Sequence, residues 1–273
     1  MTEPTFTDEY DVVVVGSGAG GMSAAVPAAY EGLSVLVLER EKHCGGATSW
    51  SGGWAWTPGT KFAKKAGVKE TPEQFRTYLK SVIGKHYEAA RVDAFLAAAP
   101  EMVEFFEKKT SLQWVPGAKI RDIYGDKPEA GNGHRSVGPK PYNSLKVRPE
   151  IRKIMRPQLY ETSFLGMGIM AGPDLTKFLS ASQGSIPGLW HAFWRFAQYV
   201  IDVILNGRGM HLVNGTALTG LVSHLTQDQL HNLAFAAPAG QTNQSLDHVA
   251  VTLWAEDSQG ALSAAQHVNL YLV

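Results

Sequence analysis

A glycine-rich turn near the N-terminus constrains the fold more than any other feature of the sequence. The turn comprises Gly16, Ser17, Gly18, Ala19, Gly20 and Gly21. A valine-rich run that is apolar on both faces precedes it, and such runs are typical of buried parallel strands. The alanine-rich residues 22–30 predict a helix, which Pro27 should kink or end early, and residues 33–38 predict a second buried strand. The first 39 residues therefore predict a strand–turn–helix–strand unit and an α/β, Rossmann-like fold.

The glycines match the pattern G-x-G-x-x-G, which predicts a dinucleotide site. Gly16 makes the tight turn, Gly18 lets the backbone approach a diphosphate, and Gly21 lets the helix pack closely on the strand. The first N–H groups of the helix would then face the phosphate charge. Glu39 closes the second strand, where an acidic side chain can accept hydrogen bonds from a ribose and disfavours NADP. NAD and FAD both remain open at this point, as does a glycine-rich turn without a nucleotide.

Composition excludes several other classes. The chain has 25 Lys and Arg residues against 25 Asp and Glu residues, and this balance argues against a nucleic-acid partner. The single cysteine, Cys44, excludes an internal disulfide and a multi-cysteine zinc site, and it fits a reducing, cytoplasmic location. We expect no metal site, because the histidines are scattered. The first ten residues lack the features of a targeting signal, and residues 189–205 are too short and too polar for a membrane span.

A second glycine cluster follows the βαβ unit. It comprises Gly45, Gly46, Ala47 and Thr48, then Ser51, Gly52 and Gly53. With this cluster, residues 10–60 resemble the start of the FAD-dependent fumarate reductase and succinate dehydrogenase flavoprotein superfamily. The resemblance implies a Rossmann-like FAD-binding domain of the glutathione-reductase type. It also implies that both glycine clusters bind FAD, together with Glu39 and its neighbour Arg40.

Three further blocks resemble the 3-ketosteroid dehydrogenase branch of that superfamily. They are residues 51–59, 113–117 and 207–215. The resemblance implies an oxidoreductase that dehydrogenates a carbon–carbon bond next to a carbonyl by hydride transfer to the flavin. The implied substrate is small and apolar, such as a ketosteroid. In the succinate dehydrogenase relatives a histidine that carries the flavin covalently would fall near Gly46. None lies there, so we expect non-covalent FAD.

The adjacent His43 and Cys44 could also bond a flavin covalently. The simpler interpretation is that Cys44 is a small buried thiol. For catalysis, the branch places a tyrosine in the loop after residues 113–117. This implies Tyr124 as the base, unless Tyr124 is an ordinary loop tyrosine. His134, Arg135 and Tyr142 in the same region offer an alternative role in binding a carboxylate substrate.

The resemblance also implies the domain organisation. Residues 1–60 form the FAD-binding unit with the second glycine cluster, 61–206 a helical and loop-rich insertion, and 207–273 a return to the FAD domain. Members of the branch are considerably longer, which implies a substrate domain after residue 273 and a chain that is truncated. A missing C-terminal part or a partner chain would then complete the site. The alternatives are a flavin-binding remnant without turnover and a fumarate or enoate reductase, while the second cluster counts against an NAD enzyme.

Several helices and strands outside the first unit are also predicted. Thr71 and Pro72 mark the start of one helix. Apolar spacing predicts a longer helix from about Ala89, which Pro100 should kink. The aromatic stripe Trp190, Phe193 and Trp194 has helical spacing, which predicts either packing in the core or a wall of an apolar substrate pocket.

Overall fold

The structure is a computed structural model that describes residues 10–159, 163–219, 233–236, 248–253 and 266–271. The described part contains eight helices: α1 (Ala19–Tyr30), α2 (Lys61–Lys65), α3 (Pro72–Ile83), α4 (Ala89–Lys109), α5 (Pro149–Ile154), α6 (Pro173–Ser182), α7 (Ile186–Asn206) and α8 (Asn214–Thr219). Its twelve strands are β1 (Val12–Val15), β2 (Val35–Leu38), β3 (Ala55–Trp56), β4 (Trp114–Pro116), β5 (Ser136–Pro139), β6 (Tyr142–Asn143), β7 (Ser163–Phe164), β8 (Met167–Gly168), β9 (His211–Leu212), β10 (Leu233–Ala236), β11 (His248–Leu253) and β12 (Gln266–Tyr271).

A three-stranded parallel sheet in the order β1-β2-β10 carries the cofactor region. Val12 pairs with Val35 in β2, and Leu233 of β10 pairs with the same residue from the other side. The predicted strand–turn–helix–strand unit is therefore confirmed. Full burial of the first strand is not confirmed, because Val13 and Val15 are 36% and 62% exposed. No described element covers the face of β1 on which these two side chains lie.

Helix α1 covers the other face of the sheet. Met22, Ala25, Val26 and Ala29 of α1 are at most 1% exposed, and they form one apolar cluster with side chains of β1, β2 and α4. Small side chains allow the helix to lie close to the strands. The helix continues through Pro27 to Tyr30, so the expectation that proline would end it early is wrong.

The segment between β2 and β9 is rich in helices and loops, as predicted. Helix α3 begins at a capping box in which Thr71 and Gln74 exchange hydrogen bonds, with Pro72 at the first helical position. Helix α4 runs to Lys109 with Pro100 inside it. Strands β3, β5 and β4 form an antiparallel sheet beside α4, and the Trp114 indole donates to the Val103 carbonyl at 3.0 Å.

Helices α6 and α7 form a hairpin whose apolar side is exposed. Trp190, Phe193 and Trp194 are 63%, 60% and 54% exposed, so the expectation that they pack in the core is wrong. They also do not line the described cavity near α7, whose walls include the polar side chains of Arg195, Asp202 and Arg208. The stripe lies on the outside because α7 uses polar side chains, among them His191, Arg195 and Asp202, on its inner face.

The last part of the chain is described only in pieces. Asparagine favours helix starts, which predicts a helix capped by Asn214, and helix α8 begins there. Strand β11 pairs with β12 in an antiparallel ladder, from the pair His248 and Tyr271 to the pair Leu253 and Gln266. The spacing of Leu218, Leu221, Val222 and Leu225 predicts one apolar stripe, and the alternation of Val268, Leu270 and Leu272 predicts a strand; of these, residues 221–225 and 272 lie outside the described residues. Among the described helices, none combines the length and the apolar character needed to cross a membrane.

Candidate cofactor site

The first glycine turn has the geometry that its spacing predicts. Gly16 has a positive φ of 89°, and its carbonyl oxygen would lie only 1.9 Å from a Cβ atom built on Gly21. A side chain at position 21 would therefore push α1 away from β1. The N-cap residue Gly18 supplies no side-chain cap, which leaves the N–H groups of Gly20 and Gly21 in the first turn available to an anion.

The two glycine clusters meet at this helix start. The Ala19 N–H donates to the Thr48 hydroxyl at 3.1 Å, and the Gly45 N–H donates to the Ser17 hydroxyl at 2.9 Å. A Cβ on Gly46 would lie 3.3 Å from the Gly18 Cα. Five members of the clusters stay exposed around this contact: Ala19, Gly20, Ala47, Ser51 and Gly52. The structure therefore brings together the two glycine clusters that are predicted to bind one cofactor. The exposed members of the clusters leave a solvent-accessible surface beside the contact.

Glu39 lies at the carboxyl end of β2 against the first turn. Its Oε2 accepts hydrogen bonds from the Ser17 N–H at 2.9 Å and from the Ser17 hydroxyl, and its Oε1 accepts from the Glu41 N–H at 3.0 Å. Burial acts to raise the pKa of Glu39, but these hydrogen bonds and the positive charge of Arg156 outweigh it, so the pKa is lowered. Glu39 is therefore an ionised acceptor at the position expected for a ribose. Arg40 beside it is exposed and lies 3.7 Å from the Glu41 carboxylate.

A third segment, at the start of α8, completes the support of the second cluster. The Gly215 N–H donates to the Ser51 carbonyl at 3.1 Å, and a Cβ on Gly215 would lie 1.6 Å from the Thr48 carbonyl oxygen. Gly53 packs against the backbone of Asn214. Sequence reasoning treated Asn214 only as a helix cap and missed this contact. The signal that could have found it is the resemblance of residues 207–215 to the dehydrogenase branch.

Cys44 is a buried thiol next to the second cluster. It is 7% exposed, and burial raises its pKa to about 11 although a hydrogen bond with Ser17 opposes the shift. A thiol with so high a pKa is a poor nucleophile. The structure therefore favours the interpretation of Cys44 as a small buried side chain over a covalent link to a flavin.

The loop that carries Tyr124 is anchored by a buried ion-pair cluster. Arg135 is 2% exposed and donates to Asp122 at 2.7 Å and to Glu70 at 2.6 Å. The Trp56 indole donates to the second oxygen of Asp122 at 2.7 Å, which ties the loop to β3. Tyr124 follows two residues after Asp122 and is 51% exposed.

The alternative carboxylate site is not assembled in the structure. Arg135 forms ion pairs with Asp122 and Glu70. His134 has a positive φ of 66°, and its Nδ1 atom is buried. Tyr142 lies in another sheet, where β6 pairs with β9. Among the described residues, no group of three or more His, Cys, Asp and Glu side chains could hold a metal ion.

The residues at the first turn fit FAD. The backbone approach at Gly18, the uncapped start of α1 and the ionised Glu39 suit a diphosphate and a ribose, and the Cβ positions on Gly21 and Gly215 are filled by backbone. The sequence profile of the FAD binding domain family matches residues 11–261. The chain belongs to this family, and its cofactor is FAD.

The relatives define the branch more closely. Over 141 residues, 51% of this chain, it is 48% identical to a 3-oxosteroid 1-dehydrogenase from Mycobacterium tuberculosis (strain ATCC 25618 / H37Rv) and covers 25% of that protein. It is 34% identical over 257 residues, 94% of this chain, to a 4-oxocyclohex-2-ene-1-carboxylate 5-dehydrogenase from Sinomonas cyclohexanicum, and it covers 42% of that protein.

A solved structure shares the fold. The 3-ketosteroid delta1-dehydrogenase from Sterolibacterium denitrificans, in complex with 1,4-androstadiene-3,17-dione, matches 96% of this chain with a TM-score of 0.71 and 24% identity. The match covers 46% of that protein. The chain therefore spans less than half the length of these relatives.

Proposed function

We propose that this chain is the FAD-binding part of a dehydrogenase that oxidises a carbon–carbon bond next to a ring carbonyl. The observation that carries the proposal is the meeting of both glycine clusters beside the ionised Glu39. The relatives support it, because their names all describe dehydrogenation of cyclic ketones. A small apolar ring ketone of the ketosteroid kind is the proposed substrate, and the cytoplasm is the proposed location because Cys44 fits a reducing compartment.

The residues of the chain would divide the work as follows. The N–H groups at the start of α1 would bind the diphosphate and Glu39 would accept from the ribose, and bound FAD would supply the acceptor for the hydride. The Tyr124 oxygen, as the phenolate, would take the proton from the carbon next to the carbonyl, and the carbon–carbon double bond forms as the hydride leaves the adjacent carbon. That carbon is only weakly acidic, so the developing enolate also needs hydrogen-bond donors. Arg135 is already paired, and we propose that a further segment or a partner chain supplies those donors.

The first experiment is to purify the chain, record its visible spectrum and identify any released nucleotide. We expect flavin bands and FAD in a one-to-one ratio with the chain. A dye-coupled assay on 3-ketosteroids and on 4-oxocyclohexane carboxylates would follow. Because the proposed enolate donors come from a further segment or a partner chain, turnover is expected when that part is supplied. Flavin without turnover on any ring ketone in the completed protein would overturn the dehydrogenase proposal and favour the binding remnant. Turnover on fumarate-like acids alone would favour the reductase alternative.

Tyr124 has its own test. Replacing it with phenylalanine removes the hydroxyl that is proposed to accept the proton, so turnover should fall by about 10²–10⁴-fold. FAD affinity should stay unchanged. Tyr87→Phe is the matched control, because it removes a hydroxyl outside this loop. Equal turnover in both variants would remove Tyr124 from the mechanism.

A further inference from the structure

The backbone of Arg156 is held beside the second glycine cluster. The Cys44 N–H donates to the Ile154 carbonyl at 2.6 Å, and the Arg156 N–H donates to the Cys44 carbonyl at 2.9 Å. This short parallel bridge joins the end of α5 to the residue that precedes Gly45. Met155, between the two bonds, is 1% exposed and fixes the segment in the interior. These contacts therefore fix the backbone of Arg156 beside the second cluster.

The side chain of Arg156 has a donor without a partner. Its guanidinium carbon lies 4.7 Å from the ring centroid of Trp50, the last residue of the short 3-10 turn Gly46–Trp50. The Nε atom is buried and has no hydrogen-bond partner among the described residues. In the same part of the chain, no carboxylate lies within ion-pair distance of Arg156. Among the described residues, the guanidinium therefore stacks on Trp50 and no acidic side chain neutralises it, which leaves its charge available to an anion.

The positive charge of Arg156 reaches the cofactor region. It contributes to lowering the pKa of Glu39 and opposes the rise in the pKa of Cys44. These two residues flank the stretch between the end of β2 and Gly45. An anion bound over this stretch would meet the guanidinium as well as the start of α1. In FAD the anionic group is the diphosphate, and arginine is well suited to phosphate oxygens because its donors form a rigid fork.

We propose that Arg156 binds the diphosphate of FAD, stacked on Trp50 and adding a cation to the site formed by the two glycine clusters. This inference rests on FAD binding and is independent of the proposed dehydrogenation. Sequence reasoning assigned no role to Arg156, because the residue follows the second cluster by more than 100 positions and belongs to no glycine motif.

The test measures cofactor affinity and needs no turnover. The chain is freed of flavin and titrated with FAD, with flavin fluorescence as the readout. Arg156→Ala should weaken FAD binding by about tenfold or more, as expected for the loss of a charge-assisted hydrogen bond. Arg156→Lys should recover part of the affinity because it keeps the charge. Lys153→Ala is the matched control, since it removes an exposed cation from α5, and it should change the affinity by less than about twofold.

ADP distinguishes a diphosphate contact from a flavin contact. If Arg156 binds the diphosphate, the Arg156→Ala substitution should lower the affinity for ADP, measured by competition with FAD, by a factor similar to the one by which it lowers the affinity for FAD. Salt supplies a readout that a merely structural role would not move, because FAD affinity of the original chain should fall more steeply with ionic strength than that of Arg156→Ala. Unchanged FAD affinity, a loss for FAD without a loss for ADP, or equal salt dependence would each overturn the inference. An original chain that takes up no FAD would overturn it too.

Discussion

Helices α1 and α7 are both rich in apolar residues, yet they turn opposite faces to the protein. In α1 the apolar side chains Met22 and Val26 are at most 1% exposed. In α7 the large apolar side chains point outward, and Trp190 is 63% exposed. Apolar spacing along a helix therefore predicts that one face is apolar, but it does not predict whether the rest of the fold packs against that face or against the polar one.

Polar contacts hold α7 in this orientation. Asp174 of α6 pairs with His191 and lies 3.4 Å from Arg195, whose guanidinium also donates to the Gly168 carbonyl at 2.8 Å. Further along, Asp202 accepts from the Met210 N–H at 3.0 Å. These groups are largely buried, so their hydrogen bonds are needed to offset the loss of water. Helix α1 depends on apolar burial, whereas α7 depends on satisfied polar groups.

The largest expected effect is on the α1 side. Phe106 of α4 is 2% exposed and belongs to the cluster that α1 covers. Phe106→Ala should lower the free energy of unfolding by about 3–5 kcal/mol, because it leaves a cavity in that cluster. Urea unfolding followed by circular dichroism measures the change. A loss below 1 kcal/mol would mean that this cluster is not the main core of the chain.

The polar attachment of α7 should be the next most sensitive. Asp174→Ala leaves His191 and Arg195 without their carboxylate, and the expected loss is about 2–3 kcal/mol because the pair is not fully buried. The same urea experiment applies, with Lys177→Ala on α6 as the control for an exposed charge. If both variants unfolded alike, polar contacts would not be what fixes α7.

The pH dependence of this region follows from His211. Burial, with the nearby charge of Arg195, lowers its pKa to about 4 from the ordinary value of 6.5, against the pull of Asp174 and Asp202. Between these values the unfolded chain binds a proton that the folded chain excludes, so stability should fall as the pH drops from 6.5 to 4. Because His211 is partly exposed, it should account for roughly 1–2 kcal/mol of the decrease in the free energy of unfolding over this pH range.

Replacing that histidine isolates its share. His211→Gln should lose less stability than the original chain between pH 6.5 and pH 4, in urea titrations at each pH. Carboxylates that do not interact with His211 contribute equally to both proteins and cancel in the difference. Parallel pH profiles for the two proteins would refute the assignment to His211.

The spacing of neighbouring residues predicts the two glycine clusters of the cofactor region, because the glycines there are required by local backbone geometry, such as the tight turn at Gly16 and the close helix–strand contact at Gly21. The contact of Gly215 with Thr48 joins segments far apart in sequence, so only the resemblance of residues 207–215 hinted at it. The outward face of α7 was missed because it depends on Asp174, which lies on another helix. Arg156 was missed for a similar reason. The proposed domain division and the role of Tyr124 stay predictions.

The smallest effect on stability is expected on the exposed apolar face of α7, in contrast to the buried cluster under α1. Phe193 is 60% exposed and contacts Trp190 and Trp194 within the same helix. Phe193→Ala should therefore change the free energy of unfolding by less than about 0.5 kcal/mol, against the loss of several expected for Phe106→Ala. A comparable loss in both variants would mean that the outer face of α7 is covered in solution. Repeating the unfolding at several protein concentrations would then identify self-association, because only an associating chain gains stability with concentration.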